Sequence, residues 1–225
     1  MKLFKIRCSA IHQIMAKATA GRTIPVGAET YVQNWRKTQL YGKDANFNTT
    51  SKYTDKGIFM EPEAINYLNE NYSLPYMEKN TEPLENDFIT GLPDITLPSI
   101  STVVDIKCSW DCFTFPLDET ELTKEYWWQV QGYMDLLGYK KAQVVYVLMT
   151  APDHIIEREA QKLANKEQSE LTAEIYERTK EQMNYDKFPT KLRVKAFEVE
   201  YDPEAAQAIR QRVIDCRTYL KSLGA

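Results

Sequence analysis

The segment Thr102-Val-Val-Asp-Ile-Lys107 restricts the fold more than any other stretch of this chain. It is β-branched and apolar, which fits a pleated strand, yet it carries two opposite charges two residues apart. Period-2 alternation puts Asp105 and Lys107 on one face and turns Ile106 into a core. A second short strand ending near Asp94, in the frame Gly91-Leu-Pro-Asp94 with ten residues between Asp94 and Asp105, would bring the two carboxylates together. An oxygen-rich corner with a lysine beside it suits a hard divalent cation and the hydrolysis of a phosphodiester. Taken singly, the pieces have plainer readings: a Leu-Pro-Asp turn and an ordinary exposed pair on a strand.

The elements around this strand predict an α/β fold, with a central mixed β-sheet flanked by helices. Ser9 reads as the N-cap of a helix through Ala10–Lys17 that ends at Gly21, and a second helix spans about Ala28 to Tyr41, closed by Gly42. A polar loop, Lys43 to Thr54, leads to a helix carrying Gly57 to Leu68, where Pro62 predicts a break or kink beside Glu61. Strands are expected at Leu74–Lys79, Asp87–Thr90, Asp94–Leu97, Ala142–Met149 and Leu192–Tyr201. Helices are expected from about Glu119 to Leu137, closed by Gly138, and from Pro203 to Leu223, where Asp202-Pro203 is a strong start signal. Residues 154–186 are dense in Glu, Lys, Arg and Gln, with apolar Ile156, Leu163, Leu171, Ile175 and Met183. They read as a solvated helix or helical hairpin inserted into a single domain covering 1–225.

With 225 residues, 43% of them hydrophobic, the chain can bury one substantial core. A net charge of −4, from 28 Lys and Arg against 32 Asp and Glu, argues against a surface coated in positive charge. It still leaves material for a local basic groove. Cys8, Cys108, Cys112 and Cys216 show no CxxC pair and read as reduced packing cysteines. The first residues are too few and too charged for a signal peptide, and no run of 18 apolar residues occurs, so a cytoplasmic protein without a membrane contact is expected.

Hydrolysing a phosphodiester requires carboxylates that hold one or two Mg²⁺ ions, with Mn²⁺ an alternative. Asp94 and Asp105 are the first candidates, the Ile106 carbonyl an additional one, and Glu61 the third carboxylate, preferred over Glu63. Lys107 would orient or help deprotonate the attacking water, or offset charge in the transition state. On the helix Tyr126-Trp-Trp-Gln129-Val-Gln-Gly-Tyr133, Gln129 and Tyr133 share a face and could line the cleft. Trp110 or Phe113 could stack on a base. The two histidines, His12 and His154, are too far apart to form a ligand set, and both read as packing or surface residues unless His12 meets DNA.

Together these motifs resemble the phage lambda exonuclease, or YqaJ-type viral recombinase, branch of the PD-(D/E)xK nuclease superfamily. Gly57 and Glu61 are similar to its glycine and helix carboxylate, Pro93 and Asp94 to its Pro-Asp, Asp105 and Lys107 to its acid-x-lysine, Gln129 to Met134 to its glutamine helix, and Ser9 to the serine of its Thr-Ala-Ser helix start. The resemblance implies a restriction-endonuclease-like core and a Mg²⁺-dependent exonuclease with two ions per site. Such an enzyme would act on double-stranded DNA ends, digesting one strand 5′ to 3′ during phage-type recombination. It further implies a ring-shaped homotrimer, a single-strand annealing protein as partner and a bacterial host cytoplasm; the candidate DNA contacts are Arg7, Ser9, His12, Trp110 and Tyr133. An endonuclease on the same fold and a catalytically silent DNA-binding subunit remain the alternatives.

Overall fold

The computed structural model describes residues 2–43 and 52–224; most of the polar loop expected at 43–54 lies outside them. In chain order the elements are β1 (Ile6–Arg7), α1 (Ile11–Ile14), α2 (Val26–Tyr41), α3 (Lys52–Asn71), β2 (Leu84–Glu85), β3 (Ile89–Gly91), β4 (Ile95–Leu97) and β5 (Thr102–Cys108). There follow α4 (Lys124–Leu137), β6 (Lys141–Val147), α5 (Asp153–Lys166), α6 (Ala173–Gln182), β7 (Val194–Glu200) and α7 (Pro203–Ser222). The α/β class holds, but the strands divide into two mixed sheets rather than one. The larger has the order β4-β5-β6-β7, with β5 and β6 parallel and both outer pairs antiparallel. The smaller has the order β1-β3-β2.

A parallel step from β5 to β6 needs a crossover, and α4 supplies it. Side-chain alternation along β5 then sorts the two faces of the sheet. Val103 packs in the cluster that contains Val130 and Met134 of α4 with Ile209 and Val213 of α7. Val104 and Ile106 pack instead with Met60, Ala64, Ile65 and Leu68 of α3. Those α3 residues recur at helical spacing, so one face of the helix closes over the sheet. Covered on both sides, the first five residues of β5 are all buried, as Ile106 was expected to be. Asp105 and Lys107 therefore lie on the α4 side.

Several local expectations need correction. Ser9 is not a helix N-cap, because Cys8–Ala10 form a 3-10 turn and α1 is only four residues long. The Arg212 guanidinium takes the Ile14 and Ala16 carbonyls at 2.8 and 3.2 Å, satisfying groups that a longer helix would have used. Gly21, with a φ of 81°, belongs to a later turn. Pro62 sits inside one continuous helix; buried Met60 and Ala64 on either side hold both halves against the sheet. Leu74–Lys79 is not a strand and contributes one isolated bridge, Lys79 to Ile95. The start of α7 is as expected, with Asp202 accepting from the Glu204 and Ala205 N–H groups at 2.8 and 3.2 Å. No helix among the described residues is long and apolar enough to cross a membrane.

Candidate active site

Asp94 precedes β4 by one residue, and its Oδ2 accepts the Ile106 N–H at 2.7 Å. That bond ties the Pro-Asp turn to the middle of β5 and sets Asp94 beside Asp105. From the other side of the pair, Gln129 of α4 donates through Nε2 to Asp105 Oδ1 at 2.9 Å. Lys107 Nζ lies 2.7 Å from Asp105 Oδ2 and 3.5 Å from Gln129 Oε1, above the Tyr126 ring at 4.5 Å. Gln129 Nε2 also donates to the Tyr133 hydroxyl at 3.1 Å, and that hydroxyl donates to the Leu92 carbonyl at 3.2 Å. A chain of bonds thus runs from the loop before Asp94 through α4 to Asp105. Asp94, Asp105, Ile106, Lys107, Gln129 and Glu61 all line one cavity of about 470 Å³.

Electrostatics in this cavity are dominated by its carboxylates. Burial and the Asp105 charge push the Asp94 carboxyl up from 3.8 to about 7. Burial would lower the Lys107 ammonium, but the adjoining Asp105 carboxylate outweighs it and holds the amine above the usual lysine range. Cys108, also on the wall, is pushed up to about 12 by burial and is no ready nucleophile. Among the described residues no three His, Cys, Asp or Glu side chains converge as a closed ligand cluster. Glu61 is turned toward Lys79, whose Nζ is 2.9 Å from its Oε1.

The donor set nevertheless fits a hard cation. Two buried carboxylate oxygens, Glu61 Oε1 and Asp105 Oδ2, each meet a lysine ammonium, at 2.9 and 2.7 Å, without an aligned hydrogen-bond donor, which leaves lone pairs free for a cation. With Asp94 and Asp105 adjacent, a bound cation would also relieve the repulsion that raises Asp94. Glu63, by contrast, is exposed.

The remaining expected residues are dispersed. Arg7 and Ser9 are exposed on a separate cavity of about 730 Å³ bordered by α2. His12 is half-buried on α1. Tyr133, 4% exposed, supports Gln129 from beneath and presents little surface to DNA. Trp110 lines the main cavity, but it is 7% exposed and packs with Ile155, Ile156 and Met183. Phe113 is the exposed aromatic on that loop. His154 packs against Phe59 in a tilted arrangement, ring centroids 4.2 Å apart. Two lysines were missed by the sequence reading. Lys56 is fully buried, donates to the Ser109 and Trp110 carbonyls at 3.0 and 2.9 Å, and is lowered by that burial to about 8. Lys79 holds Glu61. The partners are 53 and 18 residues away in sequence, so no local pattern marked either lysine.

Neither a protein-family model nor a curated protein matches the chain. Solved structures do, and the fold they share with it is that of exonucleases. A phage-related exonuclease from Haemophilus somnus 129PT matches with a TM-score of 0.78 and 28% identity, covering 99% of this chain and 96% of that one. An alkaline exonuclease, LHK-Exo from Laribacter hongkongensis, matches with a TM-score of 0.64 and 15% identity over 98% of this chain and 89% of its own. The same enzyme in complex with dAMP matches with a TM-score of 0.65.

Proposed function

We propose that this chain is a metal-dependent deoxyribonuclease of the lambda-exonuclease type, built on a PD-(D/E)xK core, that digests one strand of linear double-stranded DNA from the 5′ end. The observation that carries this reading is the bonded set Asp105, Lys107 and Gln129 beside Asp94 in one cavity. The fold shared with a phage-related exonuclease over 99% of the chain supports it. Asp94, Asp105, Glu61 and the Ile106 carbonyl are the groups that would hold Mg²⁺ or Mn²⁺, in two ions per site. When bound, the metal would polarise the scissile phosphate and make a nucleophile available at neutral pH.

The chain's own residues supply the rest. Gln129 fixes Asp105 through Oδ1, so that Oδ2 keeps a constant direction into the cavity. Lys107 stays protonated beside Asp105 and offsets negative charge as it builds on the phosphoryl oxygens, from a site already organised before the substrate arrives. Tyr133 locks Gln129 to the Leu92 carbonyl and so couples the two halves of the acid pair. Arg7, Ser9 and His12 are proposed to meet DNA further from the reacting phosphate. A ring-shaped homotrimer, a single-strand annealing partner and a role in phage-type recombination in a host cytoplasm complete the proposal.

The test is a time course on linear duplex labelled at either strand end, with and without 5′ phosphate, in Mg²⁺ or EDTA, for wild type and Lys107→Ala. Metal-dependent loss of one strand from its 5′ end, in wild type alone, is expected. Cleavage of closed circular DNA would instead make it an endonuclease. Absence of all cleavage would make it a DNA-binding subunit.

A further inference from the structure

We infer that Gly57 is a substrate-approach position: the notch that its missing side chain leaves in α3 seats the sugar of the DNA strand next to the reacting phosphate. This rests on the nuclease reading and deepens it. Glycine is a poor choice inside a helix, since it gives up more backbone freedom on folding than alanine and packs no side chain. Gly57 nevertheless lies well inside α3. Two features of a fold can require a glycine at such a place, and neither applies. Its φ is not in the left-handed region, where Gly21, Gly42, Gly138 and Gly224 lie. Nor does a neighbour crowd it: a Cβ built at Gly57 would meet nothing within 4 Å, whereas one at Gly132 would meet Ile11 Cδ1 at 2.6 Å. The remaining reason for a bare backbone is a ligand that comes close to it from outside the chain.

The space in front of Gly57 is the active-site cavity. Thr54, Gly57, Ile58 and Glu61 line it together, and their spacing of three, one and three residues makes them one stripe along α3. Gly57 stands one turn before Glu61, about 5.4 Å along the helix axis. The same turn of α3 is tied to the loop that leaves β5, because the fully buried Lys56 ammonium donates to the Ser109 and Trp110 carbonyls at 3.0 and 2.9 Å. Ser109 and Trp110 line the cavity as well, so α3 cannot back away to make room for a side chain at 57. Thr54, Gly57 and Ile58 carry no charge, and that sets what this part of the stripe suits. The reacting phosphate belongs one turn along, with Lys107 and a cation on the carboxylates. The sugar is the uncharged group joined to that phosphate, and the bare backbone at Gly57 lets it pack against the helix.

The experiment compares wild type, Gly57→Ala and Gly57→Leu in thermal melts with and without Mg²⁺ and in steady-state cleavage of a linear duplex. Gly57→Ala should melt roughly 2–4 °C above wild type, the gain of alanine over glycine in a helix of a chain this size, and keep the wild-type response of the melt to Mg²⁺. Its kcat/KM on the duplex should nevertheless fall on the order of tenfold, because the added methyl overpacks the bound sugar. Gly57→Leu should fold and lose more. A more stable protein with lower activity is a result that a purely structural glycine does not give. Gly57→Ala as active as wild type would overturn the inference and leave the nuclease reading intact. So would Gly57→Ala less stable than wild type, which would assign the glycine to the fold, and so would an altered Mg²⁺ response, which would place the damage at the metal. A wild type that cuts no DNA in any metal would overturn the nuclease reading and the inference with it.

Discussion

At the scale of single residues, the demands of the site and of the fold conflict most at Asp94. Its carboxyl is pushed up to about 7 by burial and by Asp105, so the folded chain keeps a proton there at pH values where the unfolded chain has released it. Its contribution to stability is therefore full below about pH 4 and lost as pH rises through about 7. Asp94→Asn keeps an oxygen for the Ile106 N–H and removes the charge. We expect little change in stability near pH 4 and a gain on the order of 1–3 kcal/mol at pH 8 without divalent metal. Urea melts at the two pH values measure this, and a variant no more stable than wild type at pH 8 would refute it. Lys107→Ala has the opposite character: cleavage should fall by at least roughly a hundredfold, while circular dichroism and DNA binding stay near wild type. An unfolded Lys107→Ala would show that the lysine serves the fold and not the reaction. The placement of Asp105, Ile106 and Lys107 was legible in the sequence because two-residue alternation is a local property of a strand. The pairing of Glu61 with Lys79 was not, since it depends on how α3 lies against a segment without regular structure.

Among the elements, α4 is tightly constrained, because it must deliver Gln129 to Asp105 while packing on the 3-10 turn at Cys8–Ala10. Gly132 makes that approach feasible. A Cβ there would come within 2.6 Å of Ile11 Cδ1 and 2.9 Å of Cys8 Sγ. On the facing strand, a Cβ at Gly91 would meet Tyr133 Cε1 at 2.7 Å and Cys8 Sγ at 2.8 Å. Alanine favours a helix interior over glycine by about 1 kcal/mol, yet Gly132→Ala should destabilise by roughly 1–3 kcal/mol through overpacking. It should also cut activity, because Ile11 and Cys8 are both buried and yield only in part, so that α4 shifts as well and carries Gln129 away from Asp105. Adding Cys8→Ala should recover part of both losses. A Gly132→Ala protein as stable and active as wild type would show that α4 is not so constrained. Elements with strong local signals were legible: β5 and β6 through their apolar runs, α2 through Gly42 in the left-handed region, and α7 through Asp202 and Pro203. Those set by tertiary contacts were not. The two-residue strands β1 and β2 exist only as partners of β3, and α1 is short because Arg212, about two hundred residues later, takes the carbonyls at its end.

For the molecule as a whole, the α5 and α6 pair shows how distant parts converge on the cavity. Of the two forms its composition allowed, a solvated helix or a helical hairpin, the segment takes the hairpin, α5 and α6. Its buried face, however, packs Ile155, Ile156 and Met183 on Trp110, and Arg158 pairs with Asp55 of α3 at 2.5 Å. Leu171, another apolar residue of the segment, is 36% exposed. The hairpin therefore buttresses both α3 and the loop that leaves β5, the two walls between which the carboxylates meet. A site braced from so many sides cannot relax its acid pair by local movement, so the repulsion between Asp94 and Asp105 must be borne by the stability of the whole fold. Relief of that repulsion should then appear as a global property. We expect Mg²⁺ at about a hundredfold above its dissociation constant to raise the melting temperature by roughly 5–10 °C, and Na⁺ at matched ionic strength to have little effect. Asp105→Asn should abolish the shift because it removes one partner of the pair. Differential scanning calorimetry across a Mg²⁺ titration decides the matter: an equal shift in wild type and Asp105→Asn would place the stabilising ion elsewhere, and no shift in wild type would mean that this acid pair does not take up the metal.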